Sequence, residues 1–343
     1  MPLEEPKDEP KPKPPSDLPD PIEYLEFEVM PVEKPLPQIK DLFDGASRMI
    51  FGGAAKTYKS WGMCDLAVSL SAEVPWLDFE TYFSPSLYVN FELKEYYFQK
   101  RLNAICAAKG VKLDKNALQV WNLRGHEIAF SSFIDSLSWW IEKTGRRSVF
   151  IDPFYKLLGS KDERISAEIN PILLAFDKLN RNTGASIIAS AHFAKGNQSH
   201  REPAERISGG GSLNRDPDAL LTFSGHENKG EFVLDFTLRD HPPIDAFTTK
   251  WSHPLLLRCN SDPSKLKKPR AGKEEFDPAL LLDLIADHDD QLGTEDLIKL
   301  ASNDLAWARR TIINKLNQLK KDKKAYVSRI TDNWNVKKHR SSA

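Results

Sequence analysis

The sequence predicts an α/β fold in which a mostly parallel sheet is followed by a small helical domain. Three observations carry this expectation. Between residues 37 and 259, short apolar runs alternate with stretches of helical length, the pattern of a parallel sheet covered on both faces. One of these runs, RMIFGG, passes through small residues into Lys-Ser at the start of a helix. Beyond a basic linker, residues 277–338 show helical spacing three times and then a hairpin pattern.

Residues 1–36 carry many prolines among Glu, Asp and Lys. Such a segment cannot bury a core and is expected to be disordered or partly extended. Strands are expected at 47–52, 86–91, 118–123, 148–152 and 185–191. Helices fit between them, near 59–73, 93–109, 130–144 and 166–182. The segments 219–224, 231–239 and 246–258 have no long helix between them, so they should extend the sheet as antiparallel hairpins. Residues 260–276, with KLKKPRAGK inside, read as a linker.

In the last domain, FDPALLLDLIADHDD reads as one amphipathic helix. GTEDLIKLAS opens a second, with Thr294 as cap and Glu295 and Asp296 in its first turn. DLAWARRTIINKLNQLKKDK reads as a third, with Leu305, Ala308, Ile312, Leu316 and Leu319 on one stripe. AYVSRITDNWNVKK then reads as a hairpin. Three helices and a hairpin are the layout of a winged helix-turn-helix, whose third helix enters the DNA major groove. Arg309, Arg310, Lys315 and Lys320 would form its charged face. A winged helix that docks on protein would read the same way.

Composition narrows the function classes. The 343 residues are 40% hydrophobic, and no apolar run approaches a membrane span. The opening stretch is charged and proline-rich, unlike a signal peptide. Cys64, Cys106 and Cys259 lie far apart and make neither a disulfide framework nor a metal pattern. A reducing, cytoplasmic setting without membrane contact is the expectation. The net charge is −1, but from Leu305 onward eleven Lys and Arg face two Asp, so this tail carries +9 and the remainder −10. Such asymmetry points to nucleic acid, or to a solvated basic helix and frayed tail.

The stretch from Gly53 to Ser60 follows the phosphate-binding pattern G-x-x-x-x-G-K-[ST] with one departure, Tyr58 at the second glycine. Gly52, Gly53, Ala54 and Ala55 let the backbone close around oxygen atoms. Lys59 would neutralise terminal phosphates and Ser60 would ligate magnesium, which prefers oxygen donors. Tyr58 cannot adopt positive φ as cheaply as glycine. A plain strand–helix turn that happens to contain Lys-Ser remains the alternative.

Glu92 follows the second strand of the alternation, Asp152 ends RRSVFID, and His192 ends ASIIASAH. In a parallel sheet the ligand crevice lies beyond the carboxyl ends of the strands. Glu92 could orient a water there, or simply start a helix. Asp152 could hold magnesium, or cap the turn before Pro153. His192 could contact a γ-phosphate, or end a strand. The polar stretch after it holds Lys195, Arg201, Arg206 and a glycine run. It could track a phosphate backbone, or be an ordinary surface loop. Arg239 ends EFVLDFTLR and is a candidate to stabilise transition-state charge on a neighbouring subunit.

GGAAKTYKSW, LYVNFELKE, VFIDPFYKLLG, AHFAKGN, RISGGGSLNRDPDALLTF and LRDHPP together resemble the RecA-like P-loop ATPase family that includes the RepA-type plasmid replicative helicases. The resemblance spans residues 37–258. It points to a branch of mobile elements in which an aromatic replaces the second glycine and [ST]-W follows the lysine. Tyr58-Lys59-Ser60-Trp61 matches that branch. The resemblance implies a RecA-like core, a homo-oligomer in the form of a hexameric ring, a magnesium–ATP site between subunits, and DNA translocation. It makes Gly53, Ala54, Ala55, Lys56, Thr57, Tyr58, Lys59, Ser60 and Trp61 the nucleotide loop, with Asp152 beside it. Ser60 and Asp152 take the magnesium, Glu92 is the catalytic carboxylate, His192 the sensor and Arg239 the arginine finger. The expected function is an ATP-dependent DNA replication or mobilisation motor. The alternative is a DNA-binding initiator or regulator that uses ATP binding as an oligomerisation switch.

Overall fold

Runs such as SVFID and SIIASAH are apolar on both faces, so they can only be satisfied inside a sheet covered by helices on each side. The computed structural model describes residues 19–54, 57–159, 166–193, 203–207, 212–267, 278–288, 291–305, 307–322, 325–328 and 331–336. The unit up to Leu36 is a body of its own. It contains α1 (Tyr24–Val29), none of whose residues is buried. Among the described residues of this segment, Tyr-Leu-Glu-Phe-Glu-Val is free of proline and forms that short helix.

From Pro37 onward the elements run in order. β1 (Pro37–Ile39) and β2 (Phe43–Asp44) form a small antiparallel pair. There follow β3 (Arg48–Gly53), α2 (Lys59–Ala72), β4 (Ser86–Asn90), α3 (Glu95–Lys109), β5 (Leu118–Asn122), α4 (Phe130–Thr144), β6 (Ser148–Asp152), α5 (Ser166–Thr183) and β7 (Ser186–His192). A short α6 (Ser212–Arg215) precedes β8 (Ala219–Gly225), β9 (Glu231–Leu238), β10 (Phe247–Ser252) and β11 (Leu255–Cys259). The nine-stranded sheet has the order β11-β10-β9-β8-β3-β7-β6-β4-β5. The six strands from β8 to β5 are parallel. The last three are antiparallel. The 246–258 segment is therefore a hairpin, β10 and β11, and not one strand.

Two apolar layers flank the sheet. One is built from α4 and α5 with Phe133, Leu137, Ile141, Ile169 and Phe176. The other is built around α2 with Met63, Leu66, Leu70, Trp76 and Phe98. α2 is buried nearly all round, from Gly62 to Ser71, as a helix must be when it lies between a sheet and another helix. The charge buried within that stretch, Asp65, is paired: the Nζ of Lys109, the last residue of α3, lies 2.8 Å from its carboxylate.

The C-terminal segment contains α7 (Pro278–Asp287), α8 (Thr294–Asp304), α9 (Arg309–Lys321) and the antiparallel hairpin β12 (Ala325–Val327) and β13 (Trp334–Val336). Leu281, Ile285, Leu297, Ala301, Trp307, Ile312, Leu316, Leu319 and Trp334 form its own core. Two expectations are corrected here. α9 starts at Arg309, so Leu305 and Ala308 precede the helix; its buried residues are Ile312, Leu316 and Leu319. Thr294 is not the cap of α8, since that place falls to Gly293. Its hydroxyl instead accepts the indole N–H of Trp334 at 3.0 Å.

Lys109→Met is expected to destabilise the protein by about 3 kcal/mol, because it strands a carboxylate in the interior. Burial holds the Asp65 carboxyl above the usual range, and loss of Lys109 raises it further. A carboxyl with a raised folded pKa is tolerated when protonated and costs stability as pH rises through that pKa. Urea unfolding should therefore show a smaller deficit at pH 5 than at pH 8.

Candidate active site

The site is built at the carboxyl edge of the parallel strands. β3 ends at Gly53 and α2 begins at Lys59. A Cβ on Gly53 would lie 2.9 Å from Lys59 Cδ, 2.9 Å from Thr57 Oγ1 and 3.0 Å from the Phe223 carbonyl. Only glycine fits so close an approach. Thr57 ties the turn by donating its hydroxyl to the Ala54 carbonyl at 2.8 Å. No side chain caps the start of α2, which leaves its positive end to an anion.

Tyr58 has φ 61° and ψ 17°, the left-handed conformation that the missing glycine would take. The substitution thus keeps the left-handed backbone at position 58. Lys59 is buried and donates Nζ to the Gly53 carbonyl at 2.6 Å and the Ala54 carbonyl at 3.0 Å. Its Nζ also lies 3.5 Å from His192 Nδ1. Burial lowers the Lys59 pKa to about 8, with the Asp152 and Glu92 carboxylates opposing the shift.

His192 reaches this point because β7 pairs in parallel with β3, placing it opposite Gly53. Asp152 ends β6 and is buried. Ser190 of β7 donates to its Oδ1 at 2.6 Å and Tyr88 of β4 to its Oδ2 at 3.0 Å. Neighbouring strands on both sides therefore hold the carboxylate still, while its remaining lone pairs stay open to water or metal. Glu92 is exposed on the turn after β4. Asn90 shapes that turn: its Oδ1 accepts the backbone N–H of Leu93 at 2.9 Å, and its Nδ2 donates to the Leu93 carbonyl at 2.9 Å and to Asn122 Oδ1 at 2.9 Å.

A family model described as an AAA domain matches residues 13–198, more than half of the chain. The chain belongs to that AAA domain family. No curated protein matches it. The match covers the phosphate loop and the ends of β4, β6 and β7, so the AAA domain carries the cluster of Lys59, Glu92, Asp152 and His192. The family is one of P-loop ATPases, which implies nucleotide binding. The side chains present fit that ligand: a glycine cradle with no room for Cβ, a buried ammonium, a hydroxyl at Ser60 in the first turn of α2, and a fixed carboxylate.

Other expected residues lie elsewhere. Ala55, Lys56, Lys195 and Arg201 fall outside the described residues. Arg206 does not face a nucleic acid. It is buried, donates to Ser224 Oγ at 2.7 Å and lies 4.0 Å from Asp235, so the polar stretch after His192 ends in an internal anchor. The next residue, Ile207, bridges Phe193 and packs over Gly52, where a Cβ would meet it at 2.4 Å. Arg239 stands at the amino edge of the sheet, beside Asp218 at the start of β8, with 3.1 Å between the charged groups. It is not part of its own chain's cluster. Arg309 is held by both oxygens of Glu295 at 2.6 Å each, which removes it from the free basic face of α9.

Sequence reasoning missed Asn90, Tyr88, Ser190 and Trp251. The first three sit within the motifs LYVNFELKE and ASIIASAH, two to four positions from residues that were found. Trp251 carries no local signal.

Nucleotide affinity of the AAA domain should fall as pH rises through about 8, because only the Lys59 ammonium attracts phosphate and burial depresses its pKa. A fluorescent-nucleotide titration between pH 7 and 9.5 should show a decline of up to about tenfold per unit. Lys59→Ala should bind weakly at every pH, with a flat profile.

Proposed function

We propose that the AAA domain hydrolyses magnesium–ATP and that the chain is a RepA-type, helicase-like motor acting on DNA. The observation that carries this reading is the convergence of Lys59, His192, Asp152 and Glu92 on one edge of the sheet, with Lys59 Nζ 3.5 Å from His192 Nδ1. Lys59 neutralises the terminal phosphates of the substrate and must leave the carbonyls of Gly53 and Ala54 to do so. Glu92, exposed on a turn shaped by Asn90, orients the attacking water and accepts its proton. Ser60 and Asp152 hold magnesium, which when bound neutralises phosphate charge. His192 senses the γ-phosphate from a position that hydrogen-bonds onward into the loop, since Phe193 N–H donates to the Gly53 carbonyl at 3.1 Å.

In this reading Arg239 serves a neighbouring copy in a ring, and it must exchange Asp218 for phosphate to do so. Lys195 and Arg201 contact single-stranded DNA. The C-terminal three helices and hairpin form a winged helix whose basic face recruits duplex DNA. With Arg309 paired to Glu295, that face consists of Arg310, Lys315 and Lys320.

Glu92→Gln should keep nucleotide affinity and lose turnover by the order of 10²-fold or more. A wild-type protein that binds ATP and oligomerises with it, yet shows no turnover with or without single-stranded DNA, would instead be an ATP-switched initiator. For the second domain, alanine at Arg310, Lys315 and Lys320 should abolish salt-sensitive duplex binding and leave basal ATPase unchanged, because phosphate contacts release counterions. Arg309→Ala, whose charge is already paired, should have the smaller effect on the salt slope.

A further inference from the structure

The loop's aromatic substitution has its counterpart three strands away in the sheet. Tyr58 holds φ 61°, a region that side-chain-bearing residues enter only when their surroundings hold them there. Its ring stacks on Trp251 of β10, with centroids 4.1 Å apart and planes at 22°. Phe232 of β9 meets the same ring edge-on at 5.5 Å. Trp61, the second aromatic of the Tyr-Lys-Ser-Trp sequence, lies 5.1 Å from the same Trp251. One indole therefore touches the aromatics on both sides of Lys59 and Ser60.

The strand that carries the indole is held by its backbone. The Trp251 backbone N–H donates to the Gly230 carbonyl at 2.8 Å, and Trp251 pairs with Leu256 across the β10–β11 hairpin. Leu256 in turn packs against the start of α2, 3.9 Å from the Cβ position of Gly62. Behind Trp61, the Arg101 guanidinium lies 4.3 Å from the ring centre. The hairpin is thus seated against Tyr58 and the first turns of α2. It also lies beyond residue 198, outside the AAA domain match.

We propose that Trp251 is a positioning residue for nucleotide binding: by stacking on Tyr58 it holds the glycine-less phosphate loop in its left-handed, binding-competent conformation. Trp251 acts through Tyr58 and does not touch phosphate. The inference rests on the nucleotide reading given above. It explains how a loop lacking its second glycine keeps the backbone of one that has it. The free energy comes from an aromatic pair instead of from the absence of a side chain.

The test is a double-mutant cycle on the full chain with four proteins: wild type, Trp251→Ala, Tyr58→Gly and the double variant. Affinity for a fluorescent ATP analogue with magnesium should fall about three- to tenfold for Trp251→Ala when Tyr58 is present, the range expected for losing one aromatic pair. In the Tyr58→Gly background the same change should alter affinity less than about twofold, since glycine needs no brace. Trp251→Phe should restore most of the affinity. Equal losses in both backgrounds would overturn the inference, because Trp251 would then act on the nucleotide or on the fold directly. No loss in either would overturn it too. Near-ultraviolet circular dichroism and urea unfolding of the same four proteins read the Tyr58–Trp251 coupling without nucleotide. Coupling there with no nucleotide binding by any of the four would sustain the brace and reject the nucleotide reading. Binding without coupling would do the reverse.

Discussion

Parallel pairing of β3 with β7 sets Gly53 opposite His192, and most of the site follows from that register. It brings the end of the phosphate-loop strand within reach of the strand-end histidine. It places β6, and with it Asp152, one strand further along. A slip of one residue would turn every side chain of β7 to the other face. Ser190 would then leave Asp152, and His192 would leave Lys59. The apolar layers from α4 and α5 on one side and α2 on the other prevent that slip, since both faces of β7 are buried. Core packing and catalytic geometry are therefore one constraint.

The charge arrangement is balanced in the same way. Lys59 is buried deeply enough for its ammonium to be held well below its usual pKa, yet two backbone carbonyls and two nearby carboxylates keep the charged form in place. An anion arriving at the start of α2 competes for that ammonium with the loop's own oxygens. The loop is thus closed on itself before it closes on a ligand. Asp152 differs. Its partners are hydroxyls from Tyr88 and Ser190, neutral donors that fix its position without cancelling its charge.

Much of this was legible in the sequence because it is local. The central strands and helices announce themselves through apolar runs and helical spacing, and strand tips mark the carboxyl edge. Position marked Lys59, Glu92, Asp152 and His192 as candidates, and the family resemblance gave them their roles. What was not legible depends on contacts distant in sequence. Arg206 read as a candidate phosphate-backbone contact on a polar loop, but Ser224 and Asp235 of β8 and β9 draw it inside. Arg309 looked like part of a basic face, but Glu295, one helix earlier, pairs with it. Tyr58 read as a departure whose positive φ is costly, and only the fold reveals Trp251 stacked on its ring. The split of β10 from β11 also escaped, because both halves share one apolar pattern.

The Phe193–Ile207 bridge has a consequence for how this architecture can vary. The chain leaves the sheet at Phe193 and returns at Ile207, two residues that face each other across one β-bridge. Ile207 is locked over Gly52 and Arg206 is sunk beside Ser224. Phe193 and Ile207 are therefore both clamped at the same spot. Lengthening the connection between them adds only a logarithmic closure entropy, about 0.6 kcal/mol for each doubling. A longer connection between Phe193 and Ile207 is therefore expected to leave His192 and Gly52 in place.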